Sequence, residues 1–144
     1  MTIKRFEDIQ GWQEARKLTN MVFEIFDKRL FSKNYRLRDQ IQGAAISSMA
    51  NIAEGFDCDT DPEFIRFLSY AFRSATEVQS HLYVAIDQHF ISQEEFDKVY
   101  NKATETKNLI GGFVRYLRTS PRVKKSHQIN NIRPRTSDTP DFGP

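Results

Sequence analysis

QIQGAAISSMANIAEG, residues 40–55, decides the fold: its apolar and small side chains recur with a helical period, yet no charge stands between Asp39 and Glu54. Ile41, Ala45, Ser48 and Ile52 form one stripe at 4-3-4 spacing, Gln40, Ala44, Ser47, Asn51 and Glu54 a second, and Ile46, Met49, Ala53 and Phe56 a third. A solvated helix face ordinarily carries charge, so this helix has no evident outward side. It is expected to be buried from more directions than one small bundle can cover. Gly43, Ala44, Ser47 and Ala50, whose small side chains permit close packing, are the candidate oligomer interface. Burying the polar members demands partners. Gln40, Ser48, Asn51 and Glu54, with Ser74 and Glu77 from the third helix, are the candidate buried polar network, read as fixing helix register rather than holding a ligand.

Outward from that stretch, the chain reads as four helices. Trp12, Ala15, Leu18, Val22, Ile25 and Phe26 recur at helical spacing from about residue 9 to 30, after an arm whose Phe6 is expected to dock onto the bundle. The second helix spans about 37 to 54, with Gly55 expected as a left-handed C-terminal cap. Asp61-Pro62 reads as an N-cap followed by proline at the first helical position, starting a helix that runs to about residue 89. Ser92 and Glu95 have the spacing of a capping box and open a fourth helix to about 118. Gly111-Gly112 interrupts that helix at about 1 kcal/mol each, which predicts either close approach of a neighbouring backbone, the favoured reading, or a kink. Short loops favour antiparallel neighbours. The fold expected is all-α, an antiparallel up-down-up-down four-helix bundle. Its core is expected to hold Trp12, Leu18, Val22, Ile41, Ile52, Phe67, Leu68, Leu82, Val99 and Phe113.

One domain and a tail of different character follow. Residues 1–118 form the bundle with its short arm, and 119–144 a basic tail expected to be disordered alone, since its apolar period is lost. Of the 21 lysines and arginines, 5 lie after residue 118, against 2 of the 19 acidic residues. No acid separates Glu105 from Asp138, and Lys107, Arg115, Arg118, Arg122, Lys124, Lys125, Arg133 and Arg135 lie between them. These are the candidate nucleic-acid-binding residues. Opposing them at the same bundle end is an acidic loop with Asp57, Asp59, Asp61 and Glu63.

The chemistry of catalysis is poorly represented. A di-iron bundle needs Glu-x-x-His pairs on two helices, whereas Glu77 and His81 are four apart and unrepeated. Cys58 lies between two aspartates that would raise its pKa, and no glycine-rich phosphate loop occurs. The expectation is a non-enzyme without cofactor or metal. With neither a signal segment nor a run of eighteen apolar residues, a cytoplasmic protein without a membrane span is expected.

The order Phe6…Trp12-Gln13-x-Ala15, Tyr35-x-Leu37-x-x-Gln40-Ile41-x-x-Ala44-Ala45-x-Ser47, Asn51-Ile52-Ala53-Glu54-Gly55, Phe64…Phe67-Leu68 and Ser74-x-x-Glu77 resembles a family. It is the bacterial four-helix bundle family named for the protein encoded in intervening sequences of 23S ribosomal RNA genes. The match spans roughly residues 6 to 118, and Asn-Ile-Ala-Glu-Gly is its most specific part. The resemblance implies a homo-oligomeric ring, often a pentamer, that associates with RNA. A relative, the accessory variability determinant of diversity-generating retroelements, works beside a reverse transcriptase. The alternative it implies is therefore an assembly or scaffold protein binding a protein partner. The chain departs from relatives at Gly43 and at Asp57, Asp59 and Asp61, where basic residues are common.

Overall fold

In the computed structural model, which describes residues 3–27 and 34–122, helices α1 (Gln10–Phe26), α2 (Tyr35–Phe56), α3 (Asp61–Asp87) and α4 (Gln93–Thr119) follow a single 3-10 turn at Phe6–Asp8. The predicted end of the first helix at Leu30, and the basic tail after Arg122, lie outside the described residues. Each helix packs on two neighbours in cyclic order, α1 on α2 and α4, and α3 on α2 and α4. This is the antiparallel four-helix bundle expected from the periodicity and short loops.

Hydrophobic stripes fill two halves of the core. Toward the α1–α2 turn lie Leu18, Val22, Phe26, Ile41, Val78, Leu82, Phe96 and Val99, and toward the opposite end lie Ile9, Ile52, Phe64, Leu68, Ile110 and Leu117. Full burial of each such large side chain stabilises the fold by about 1.5–3 kcal/mol. Trp12, Phe67 and Phe113 are only half-buried, as edge residues of the bundle. The arm does dock: the Phe6 ring sits edge-on to Trp12 with centroids 5.1 Å apart, and Asp8 accepts the Lys4 amide at 3.1 Å.

Helix ends follow local chemistry, with three differences from the sequence expectation. Thr60, not Asp61, caps α3 by accepting the Glu63 amide at 3.3 Å, so Asp61 is the first helical residue and Pro62 the second, and the Asp61 carboxylate goes to Arg122. Gly55 is not a left-handed cap, since no described glycine has positive φ. It sits inside α2 because a β-carbon there would lie 2.7 Å from Phe67 Cβ and 2.8 Å from Phe64 Cδ1. The left-handed residue is instead His89 (φ 61), which closes α3 with the Phe90 amide on the Ala85 carbonyl at 2.8 Å and the His89 amide on that of Ile86. Gly111 and Gly112 also differ. Within 4 Å of a β-carbon at either lies only the α4 residue Arg115, so these glycines are not what lets a neighbouring helix come close, and α4 continues unbroken; the α1 backbone comes near α4 at Gly11, where a β-carbon would lie 3.7 Å from the Ile110 amide nitrogen.

Polar links tie the helices pairwise. Thr19 Oγ1 lies 3.0 Å from the Ala45 carbonyl, joining α1 to α2. Gln79, buried between α3 and α4, donates to Thr104 Oγ1 at 2.9 Å and accepts Lys107 Nζ at 3.1 Å. Glu14 accepts Lys102 and Lys17, each at 2.8 Å, and Lys102 also reaches Glu105 at 3.0 Å. The Lys102 hydrogen bond, then that of Lys17, holds the Glu14 carboxyl below the usual carboxylate range. Glu14, followed by Glu105, raises the Lys102 ammonium above the usual lysine range.

Both shifts favour the charged pair across the neutral range. A lowered carboxylate contributes stability above its unfolded pKa and loses it as pH falls through the folded value. A raised ammonium loses its contribution only as pH rises through a value above the ordinary lysine range. At neutral pH, Lys102→Met is expected to destabilise the protein by about 1.5–3 kcal/mol, the range of a hydrogen bond to a charged group. Urea denaturation at a series of pH values should show that difference shrinking as Glu14 becomes protonated below the carboxylate range. A difference independent of pH would mean that packing around the lysine stem, not charge, is responsible.

Candidate functional site

The cations singled out in the sequence divide into groups with different surroundings. Arg122 faces the bundle. Its Nε lies 2.8 Å from Asp61 Oδ1, Nη1 donates to the Phe56 carbonyl at 2.8 Å, and Nη2 donates to the Cys58 carbonyl. The guanidinium carbon stands 4.6 Å from the centroid of Phe64. Carbonyls released at the C-terminal end of α2 need donors, and Arg122 supplies them from the segment after α4. Every donor nitrogen of its side chain is engaged. Arg122 thus fastens three helix ends together and, so placed, presents no fork to an external phosphate.

Lys107 is also committed, bonded to Gln79 with its ammonium 4.9 Å from the Phe72 ring centroid. Arg115 and Arg118 are exposed, and their side chains make no hydrogen bond or ion pair among the described residues. At 3.6 residues per turn, positions 107, 111, 115 and 118 fall within about 80° of one another on α4. This edge borders a groove of about 290 Å3 between α3 and α4, walled by Ile65, Leu68, Ser69, Phe72, Ile110 and Val114. Gly111 opens one side of it, and Arg115 and Arg118 stand at its rim. No acidic residue lines the groove. Lys124, Lys125, Arg133 and Arg135 lie outside the described residues.

The α2 residues divide as well. Gly43 and Ala50 lie about 170° around the helix from the centre of its buried stripe, and nothing comes within 4 Å of a β-carbon built on Gly43. Ala44, only about 70° from that centre, is 3 % exposed and belongs to the core. It cannot touch another subunit without opening the bundle. Ile46, 47 % exposed, occupies the outward face instead. The helix therefore has an outward side, small and uncharged around Gly43, Ile46, Ala50 and half-buried Ala53.

The buried polar network is smaller than the sequence suggested. Asn51 Nδ2 donates to the Ser47 carbonyl and hydroxyl, both at 2.9 Å, and Ser47 Oγ lies 3.0 Å from Ser74 Oγ across the α2–α3 contact. Ser48 turns back to the Ala45 carbonyl of its own helix at 2.6 Å. Gln40, Glu54 and Glu77 are exposed. Gln40 and Glu54 project about 110° and 150° from the centre of the buried stripe, so the helix turns them to solvent. Glu77 lies 3.5 Å from His81 on its own helix. Cys58 has its thiol pKa pushed up, first by burial and then by the charge of Glu63, which opposes thiolate formation.

Sequence reasoning missed Arg122's inward role and the groove itself. The first depends on where the chain turns after α4; the second requires knowing which residues of α3 face α4. Among the described residues, no helix is long and apolar enough to cross a membrane.

The chain is similar to a crystal structure of a protein of unknown function from the S23 ribosomal protein family of Bacteroides thetaiotaomicron, with a TM-score of 0.67 and 20 % identity. The similarity covers 73 % of this chain and 98 % of that one, and at this identity it speaks to the fold alone. No curated protein matches. Residues 7–112 match the family described as 23S rRNA-intervening sequence protein. That span takes in the last two residues of the arm's 3-10 turn, α1 to α3 and α4 through the glycine pair, and the chain belongs to the 23S rRNA-intervening sequence protein family.

Proposed function

We propose that this protein is a non-enzymatic homo-oligomer that associates with RNA through the basic edge of α4. The observation that carries the reading is the pair of uncommitted guanidinium groups, Arg115 and Arg118, beside a groove without acids. An arginine without an intramolecular partner keeps its planar fork of donors for phosphate oxygens. Lys107, at the Phe72 end of the groove, adds a third positive charge to the same edge. The family's name attaches its members to ribosomal RNA genes, which agrees with an RNA ligand.

Assembly rests on the uncharged outward face of α2, where Ile46 is exposed beside Gly43 and Ala50. A ring built from one such face and a different surface on the next copy is a heterologous interface, and closure would collect several α4 edges in one particle. Avidity then raises the affinity of a site with few charges. The same face of α2 is what a scaffold role with a protein partner would use, so RNA binding is the property that separates the two readings.

Titration of a single-stranded RNA at several salt concentrations tests the first part. Log affinity should fall linearly with log salt, and Arg115→Gln with Arg118→Gln should flatten the slope by about 1.4, at about 0.7 for each phosphate that a chain no longer neutralises. No binding at low salt would leave the scaffold reading. For assembly, Ala50→Glu should lower the native mass measured by light scattering while the helical circular-dichroism signal persists. A wild-type protein that is monomeric at tens of micromolar would end that part of the proposal.

A further inference from the structure

The geometry points to a binding site for an unpaired nucleobase in the groove between α3 and α4, with its flanking phosphates held by Arg115 and Arg118. This rests on the RNA reading above and narrows it to single strands. The groove combines features that a phosphate-only contact does not need. Its floor is apolar, its 290 Å3 is open at the rim, and the wall on the α4 side is lowered at Gly111, which adds no side chain of its own and has only the Arg115 guanidinium beside it. Phe72, 39 % exposed, gives the groove an aromatic wall, with the Lys107 ammonium against its ring. A methyl group at Gly111 would meet only Arg115, so the bundle's packing does not require glycine there. Glycine inside a helix costs about 1 kcal/mol relative to alanine, and the groove gives it a use that the fold does not.

Charge complementarity selects a polyanion, and the apolar floor selects one that carries planar apolar groups. RNA in a duplex has its bases paired and stacked, so it can offer phosphates to the rim but nothing to the floor. A single strand can splay one base into the groove while its backbone follows the α4 edge, and each base stacked on an aromatic or apolar surface adds affinity that is tolerant of sequence. An acidic peptide would satisfy the arginines as well, but offers no planar ring at each charge, so the wall at Phe72 favours the nucleotide.

Fluorescence anisotropy with full-length protein tests this, using one labelled single-stranded RNA, the same strand annealed to its complement, polyphosphate as a polyanion without bases, and oligoglutamate. The wild type should bind the single strand roughly tenfold more tightly than the duplex, the scale of one stacked base. Gly111→Leu, which places a good helix-forming side chain in the groove, should remove most of that preference. Its readout is the ratio of single-strand to duplex affinity, since a side chain there starts 3.6 Å from Arg115 Nη1 and alters phosphate binding by both ligands. Ser69→Leu, which fills the groove from α3, should reproduce the effect if Gly111→Leu perturbs the helix. Equal binding of single strand and duplex, or wild-type single-strand affinity in both variants, would overturn the site while salt-dependent binding left the RNA reading standing. No RNA binding at low salt would overturn both. Tighter binding of oligoglutamate than of RNA would overturn the site by assigning the groove to an acidic protein segment instead.

Discussion

Everything at the acidic end of the bundle depends on how closely α2 approaches α3 at Gly55. The α-carbon there has Phe67 and Phe64 where its own β-carbon would be, at 2.7 and 2.8 Å. Phe67 Cβ is fixed to its backbone and cannot swing away. The close approach is offset against a glycine's cost inside a helix, about 1 kcal/mol, and it brings the Phe64 ring into the core beside Phe113, centroids 5.5 Å apart. It also fixes the start of α3 relative to the end of α2. Only then do the Phe56 and Cys58 carbonyls and the Asp61 carboxylate converge on a single arginine.

That convergence gives the cations two occupations. Arg122 is spent on the fold, pairing with Asp61 at the acidic end and lying over Phe64. Charge that looked available to a polyanion in the sequence is neutralised there within the molecule. One turn and more back along α4, Arg118 and Arg115 have no such partner among the described residues and stand instead over an apolar groove. Three helix ends are thereby secured without drawing on the residues that face solvent. The functional reading rests on this separation: one edge of the bundle is electrostatically closed and the neighbouring edge is open.

The fold was legible because its signals are local. Heptad-like stripes placed Leu18, Ile41, Leu68 and Val99 in the core, and the Ser92–Glu95 capping box marked the start of α4, with both of its hydrogen bonds formed. The errors came where a residue's role is set by something distant in sequence. Gly55 stands where a helix-ending glycine is common, and nothing local tells that Phe67 fills the space beside it. Ala44 and Gly43 are adjacent small residues, yet one step of about 100° sends the first into the core and the second to solvent. Gln40 and Glu54 share a stripe with Asn51, but only Asn51 lies where α3 can bring Ser74 alongside Ser47. Of the candidate nucleic-acid residues, the sequence supplied Arg115 and Arg118 by charge alone. Their groove needed the α3–α4 contact.

Two substitutions of the same kind, compared by thermal unfolding at one protein concentration, test the central constraint most directly. Gly55→Ala forces a methyl group into a filled site and should lower Tm by several degrees, as overpacking by about 1–3 kcal/mol does. Gly112→Ala, in a helix interior where a β-carbon meets only Arg115 Nη2 at 3.7 Å, should raise Tm through helix propensity of about 1 kcal/mol. Opposite signs are the result the account requires. A stabilised Gly55→Ala would show that α2 and α3 are not seated against one another at that glycine, and with it would go the explanation for the loop that Arg122 holds.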